Sequence, residues 1–164
     1  MTTAILIVAG YLAGSMPFGY WVVRAFKHVD IRSVGSGNIG ATNVWRTYGR
    51  WYGVPVVLLD VLKGFVPAFV ATLTVGHLAG VLAGGAAMLG HARPIFLKFA
   101  KGGKMVATCG GVFFGVAPLV ALDVYEHAYF LDFQTDRAAY IETFLANLDW
   151  SVVNDWAGRT GIPK

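Results

Sequence analysis

The sequence predicts an all-α polytopic membrane protein of about four transmembrane helices, followed by a short α/β tail. Three observations carry this. Of the 164 residues, 56% are hydrophobic and only 13% charged, a balance that favours a membrane bundle over a soluble domain. The apolar residues gather in long runs, separated by two basic, glycine-bearing loops. Charge also changes sign along the chain: residues 1–121 hold ten Lys/Arg and two acids, net +8, and residues 122–164 hold three Lys/Arg and seven acids, net −4. The change coincides with the end of the last long apolar run and predicts two unlike pieces, 1–116 and 117–164.

Residues 3–23 are nearly free of charge and match the ~20 residues a bilayer core requires. They lack the basic head and small-residue cleavage site of a signal peptide, so they read as a first span. Ser15-Met16-Pro17, with Gly14 and Gly19, predicts a kink and a close-packed face. Residues 24–51 form the first polar loop, which carries Arg24, Lys27, Arg32, Arg46 and Arg50. The run 52–75 is a second span, interrupted by Asp60 and Lys63. Ionisable groups inside a span are costly and face a partner or an aqueous cavity. Their spacing puts them on one helical face, where they can pair.

A third apolar run, 78–90, is rich in Gly and Ala, and the connection at Gly76-His77 holds no Lys or Arg. Residues 91–104 are the second basic loop, and 105–121 a fourth run just long enough to span. If spans two and three form a hairpin, both basic loops lie on one side of the membrane. The bias of Lys and Arg puts that side in the cytoplasm. Cys109 is the lone cysteine, which excludes a disulfide framework or a zinc cluster. No internal repeat or low-complexity tract is present.

Residues 35–46 pack three glycines, two asparagines, a serine, a threonine and Arg46 into one short segment. Glycine permits tight turns and close approach to a ligand. Neutral amides and hydroxyls supply hydrogen bonds, and a guanidinium supplies a fork matched to phosphate. Gly102-Gly103-Lys104 can present backbone N–H groups and an ammonium to phosphate oxygens, although the Walker spacing is absent. His91, at the head of that loop, is a candidate base.

In order and spacing, Ser15-Met16-Pro17-Phe18-Gly19, Asp30-Ile31-Arg32, the 35–46 segment, Asp60 with Lys63-Gly64, Gly90-His91, Gly102-Gly103-Lys104 and Val106-Ala107-Thr108 resemble the bacterial acyl-phosphate:glycerol-3-phosphate acyltransferases, the PlsY family. The resemblance covers about residues 4–116. It implies a membrane enzyme that moves a fatty acyl group from acyl phosphate to the 1-hydroxyl of glycerol 3-phosphate, giving lysophosphatidic acid, with no cofactor. Its partners would be those two substrates and membrane lipid, with no nucleic acid. The site would lie in cytoplasmic loops of a multi-pass protein of the cell membrane.

By resemblance, Ser36, Arg46 and His91 are the catalytic candidates, with Asn38, Thr42, Asn43, Lys63, Gly102, Gly103 and Lys104 for substrate and phosphate. The sequence departs from the family at Met105, where glycine is usual, and at Ala100, which reads as an extra residue. The family's later spans and third cytoplasmic motif have no counterpart after residue 116, so a truncated bundle is expected. A non-catalytic membrane protein that keeps the motifs is the bland alternative.

In the tail, residues 137–148 carry a helical apolar pattern behind Asp136, a cap candidate, and a second short helix is expected from Asp149. Residues 120–133 are rich in aromatic and β-branched types and read as strand and turn. The run from Pro118 to Tyr129 resembles the C-terminal metal-ligand signature of iron/manganese superoxide dismutases. That resemblance, over about residues 117–156, implies Asp123 and His127 as two of four ligands to Fe or Mn. The histidine-bearing N-terminal half of that family has no match, so a dismutase-type metal site is the alternative function.

Overall fold

A computed structural model of the chain describes residues 2–116 and 136–159, and every regular element among them is helical. The chain divides into two compact units, Met1–Pro118 and Leu119–Lys164.

In the first unit the expected single N-terminal span is a broken helix, α1 (Thr2–Gly14) and α2 (Phe18–Lys27). Pro17 has no N–H to continue the helical ladder, which fixes the break at Ser15-Met16-Pro17. The first polar loop, expected to be irregular, contains a helix, α3 (Ala41–Tyr48). Its apolar residues at i, i+3 and i+7 pack Val44 and Tyr48 with Val23, Ile31, Ile39 and Val56.

The second and third apolar runs form α4 (Arg50–Thr74) and α5 (His77–Ala92), joined by a tight turn at Gly76, whose φ of 124° suits glycine. The fourth run begins α6 (Val106–Val116). Thr2–Lys27, at 26 residues, and Arg50–Thr74, at 25, are long and apolar enough to cross a membrane.

Small residues set the packing. Gly10 and Gly14 of α1 press on the carbonyls of Ala83 and Ala87 of α5, so the two helices run in the same direction. Gly111 of α6 meets the Val61 carbonyl of α4, and Gly115 packs on Phe65 one turn on, so this pair also runs in parallel. The start of α4, the end of α5 and the start of α6 therefore share one end of the bundle with α3.

Burial is inverted relative to a water-soluble core. Asp60, Lys63, His91 and Thr108 are buried, while Leu73, Leu78, Leu89 and Phe113 are more than 60% exposed. A bundle surrounded by lipid has this arrangement, with small and polar groups inside and bulky apolar groups outside.

In the second unit, α7 (Arg137–Ala146) and α8 (Trp150–Arg159) are the described elements. Asp136 caps α7 by accepting the Ala139 N–H at 2.9 Å, as expected. Asp149 accepts the Ser151 N–H at 3.0 Å. The α/β character expected of the tail has no strand among the described residues, and the 120–133 segment lies outside them.

Candidate active site

The loop ahead of α3 is built around one side chain. Asn43 is 5% exposed. Its Oδ1 accepts the Ser36 N–H at 2.9 Å, and its Nδ2 donates to the carbonyls of Asn38 at 2.9 Å and Val34 at 3.1 Å. Gly35 and Gly37 adopt φ of 60° and 68°, and a Cβ at Gly35 would strike the Asn43 carboxamide. Asn38 closes the loop by accepting the Gly40 N–H at 2.7 Å.

Upstream, Asp30 accepts the Arg32 N–H at 2.9 Å and pairs with its guanidinium at 2.6 Å. The hydrogen bonds from Arg32 hold the Asp30 carboxyl below its usual pKa, and the Asp30 carboxylate raises that of Arg32. The Arg32 guanidinium also lies 5.1 Å from the Tyr20 ring centroid, which fixes the loop against α2.

This loop and α3 form one side of an open cavity of about 560 Å³, lined by Ser36, Asn38, Thr42, Asn43 and Arg46. From elsewhere in the chain come Asp60 of α4, His91 of α5 and Lys104 of the second basic loop. The two loops therefore converge on one site, with a guanidinium and an ammonium placed among neutral hydroxyl and amide groups. Such a cavity is suited to an anion that also carries hydroxyls.

Three candidates lie beside the cavity rather than on it. Lys63 pairs with Asp60 at 2.7 Å and donates to the Met16 carbonyl at 2.9 Å. The Gly102 N–H donates to the Ala92 carbonyl at 2.9 Å, and the Gly103 N–H to the His91 carbonyl at 3.1 Å. Those donors, expected at phosphate, instead fasten the second loop to the end of α5. A Cβ on Gly103 would strike the His91 imidazole. Next along, Met105 holds φ of 64°, a left-handed backbone state that favours glycine.

Thr47, Val57, Asp60 and Ala107 also line the cavity and were not singled out as site residues. A carboxylate in an otherwise apolar span was the available signal for Asp60. Asp123 and His127 lie outside the described residues, and among the described residues no three His, Cys, Asp or Glu side chains are grouped to hold a metal.

A second, apolar cavity of about 390 Å³ runs between α1 and α4, lined by Leu6, Ala9, Ala13, Leu62, Val66 and Val70. Met16, Phe18 and Lys63 line it as well.

Fold and cavity together define a helical protein with a lipid-facing exterior and an anion-receptive site at one end of its bundle. Residues 4–134 match the family model described as glycerol-3-phosphate acyltransferase, and the chain belongs to that family. The match runs to residue 134, beyond the boundary expected at residue 116.

Among curated relatives, glycerol-3-phosphate acyltransferase of Aquifex aeolicus (strain VF5) is 52% identical over 124 residues, covering 74% of this chain and 64% of the relative. That of Geobacter metallireducens is 52% identical over 124 residues, covering 74% and 63%. The chain thus spans a little under two thirds of these relatives. The crystal structure of PlsY (YgiH), an integral membrane glycerol 3-phosphate acyltransferase, in its glycerol 3-phosphate form is similar at a TM-score of 0.72 and 38% identity, covering 99% of this chain and 86% of that one. The lysophosphatidic acid form of the same protein gives 0.70 and 36%.

Proposed function

We propose that this chain is a membrane acyltransferase that moves a fatty acyl group from acyl phosphate to the 1-hydroxyl of glycerol 3-phosphate. The observation that carries the reading is the meeting of Arg46, on α3 behind the first loop, and Lys104, in the second loop, on one cavity with Ser36. Relatives named for this activity support it.

Acyl phosphate is a mixed anhydride and already activated, so neither a cofactor nor a protein nucleophile is required. The glycerol hydroxyl attacks the acyl carbon, the bond from that carbon to the phosphate oxygen breaks, and phosphate departs. The hydroxyl proton ends on the departing phosphate. His91 is 4% exposed and packs against Gly103, with Nδ1 3.8 Å from Asp60, which supports a placing role over that of a base open to substrate. Arg46 and Lys104 hold the two phosphates together, and the Ser36 and Thr42 hydroxyls orient the polyol. The acyl chain lies between helices, where the apolar cavity of α1 and α4 has the right lining.

The loops that carry the site face the cytoplasm in this reading. Its support is the gathering of Arg46, Arg50, Arg93 and Lys104 at one end of the bundle and the absence of Lys or Arg in the turn at Gly76. The test is acyl transfer by membranes that hold the chain. Activity lost in both Ser36→Ala and Arg46→Ala supports the assignment, and activity that survives both removes it.

The tail carries the second reading, an Fe or Mn site that uses Asp123 and His127. Its support is the residue pattern from Pro118 to Tyr129. Two ligands of four bind metal weakly and lack the full set a redox centre needs, so this reading is of metal binding without dismutase activity. Stoichiometric Fe or Mn that disappears in Asp123→Ala would establish the site, and a metal-free native chain would reject it.

A further inference from the structure

Asp60 and Lys63 form a buried ion pair inside an apolar helix, which is a costly feature. The pair touches two places that the fold must hold still. Lys63 Nζ donates to the Met16 carbonyl, at the break between α1 and α2. An ammonium there gives the Met16 carbonyl, which also accepts the Phe18 N–H at 3.1 Å, a charged partner and complements the C-terminal end of α1. On its other side, Asp60 Oδ1 lies 3.8 Å from His91 Nδ1, a close packing contact of two buried polar atoms without a hydrogen bond between them.

His91 in turn carries the second loop. Its carbonyl accepts the Gly103 N–H, and its imidazole fills the space that the missing Cβ of Gly103 leaves. Lys104, which lines the cavity, is the next residue along. A continuous set of contacts thus runs from Met16 through Lys63, Asp60, His91 and Gly103 to Lys104.

We infer that Asp60 and Lys63 are positioning residues: the pair ties the α1–α2 break to the end of α5 and so holds the glycine loop that places Lys104 at the cavity. Lys63 borders the apolar cavity but not the anion cavity, and it serves the anion site through this tie. The functional part of the inference rests on the acyl-transfer reading, whereas the structural part does not.

Single substitutions strand a buried charge, so the informative variant is the near-isosteric neutral double, Asp60→Asn with Lys63→Met. The full chain is compared with it by amide hydrogen exchange in detergent micelles. The inference expects exchange at Gly102 and Gly103 to rise about tenfold or more while the interior of α5 (79–84) keeps its protection. Unchanged loop amides, or equal acceleration in the loop and in α5, would overturn it.

Kinetics give the second arm. KM for glycerol 3-phosphate is expected to rise about tenfold with kcat within about threefold of native, and an unchanged KM counts against the inference. A native chain that transfers no acyl group defeats the acyl-transfer reading, and the exchange result then decides the positioning claim alone.

Discussion

The side-chain oxygen of Asn43 accepts the backbone N–H of Ser36 at 2.9 Å, across seven positions of sequence. One amide from the first buried turn of α3 thus shapes the loop that presents Ser36 to the cavity. Asn43 was expected to bind substrate, but its oxygen and its NH₂ are both committed to backbone.

Removing that amide should therefore disrupt the fold as well as the site. Asn43→Ala takes the side-chain partner from the part-buried Ser36 N–H and Asn38 carbonyl and is expected to cost about 2–3 kcal/mol. Thr42→Ala, whose side chain is exposed at the cavity, should stay within about 0.5 kcal/mol of native. Unfolding midpoints in detergent check this, and equal losses in the two variants would refute the role given to Asn43.

Met105 should be an intrinsic weak point. Its φ of 64° lies in the left-handed region, where a side chain costs roughly 1–2 kcal/mol. Met105→Gly is expected to recover part of that, offset by the greater entropy of an unfolded glycine. A raised unfolding midpoint with the cavity intact is the expected outcome, and a lowered one would show that the Met105 side chain packs more than the backbone strains.

Two glycines of similar appearance should respond in opposite ways. Gly103→Ala drives a methyl group into the His91 imidazole and is expected to reduce acyl transfer at least about tenfold. Gly110 has open space around it, so Gly110→Ala should be neutral or stabilise α6 by roughly 0.5–1 kcal/mol. Transfer assays and melting curves on the pair separate packing from composition.

The Asp30–Arg32 pair sets a pH dependence. The folded-state pKa of Asp30 is lowered, chiefly by the hydrogen bonds from Arg32, so its contribution is complete above the ordinary carboxylate value of 3.8. It is lost as pH falls through the lowered folded value. Asp30→Asn should therefore melt below native at neutral pH, with the difference closing toward the acid end. Both side chains are partly solvated, so the difference will be small. A gap that widens on acidification would contradict the assignment.

Much of the bundle was legible because apolar length and charge are strong signals. The runs 52–75 and 78–90 became α4 and α5, and the three-residue spacing of Asp60 and Lys63 became an ion pair at 2.7 Å. Asp136 and Asp149 marked the two tail helices by capping chemistry. What escaped was local competition. α3 begins among glycines and asparagines that favour turns, and its helical signal is three residues, Ala41, Val44 and Tyr48. Pro17 suggested a kink, but no local pattern indicated that the Met16 carbonyl at the break accepts from a lysine 47 positions away.

The cavity's membership was readable from residue chemistry at Ser36, Arg46 and Lys104. The division of labour within it was not, because Asn43, Lys63 and Gly103 carry the residue types of ligand-binding groups while serving the backbone.

The central claim is that two separate loops make one anion site. Calorimetric titration of the purified chain with glycerol 3-phosphate tests it, using Arg46→Ala, on the α3 that follows the first loop, and Lys104→Ala, in the second loop. Loss of a charge-assisted contact is worth about 1.5–3 kcal/mol, so each variant should bind at least tenfold more weakly than native. Native affinity retained in either variant would show that its loop does not contribute to the site, and the account would fail.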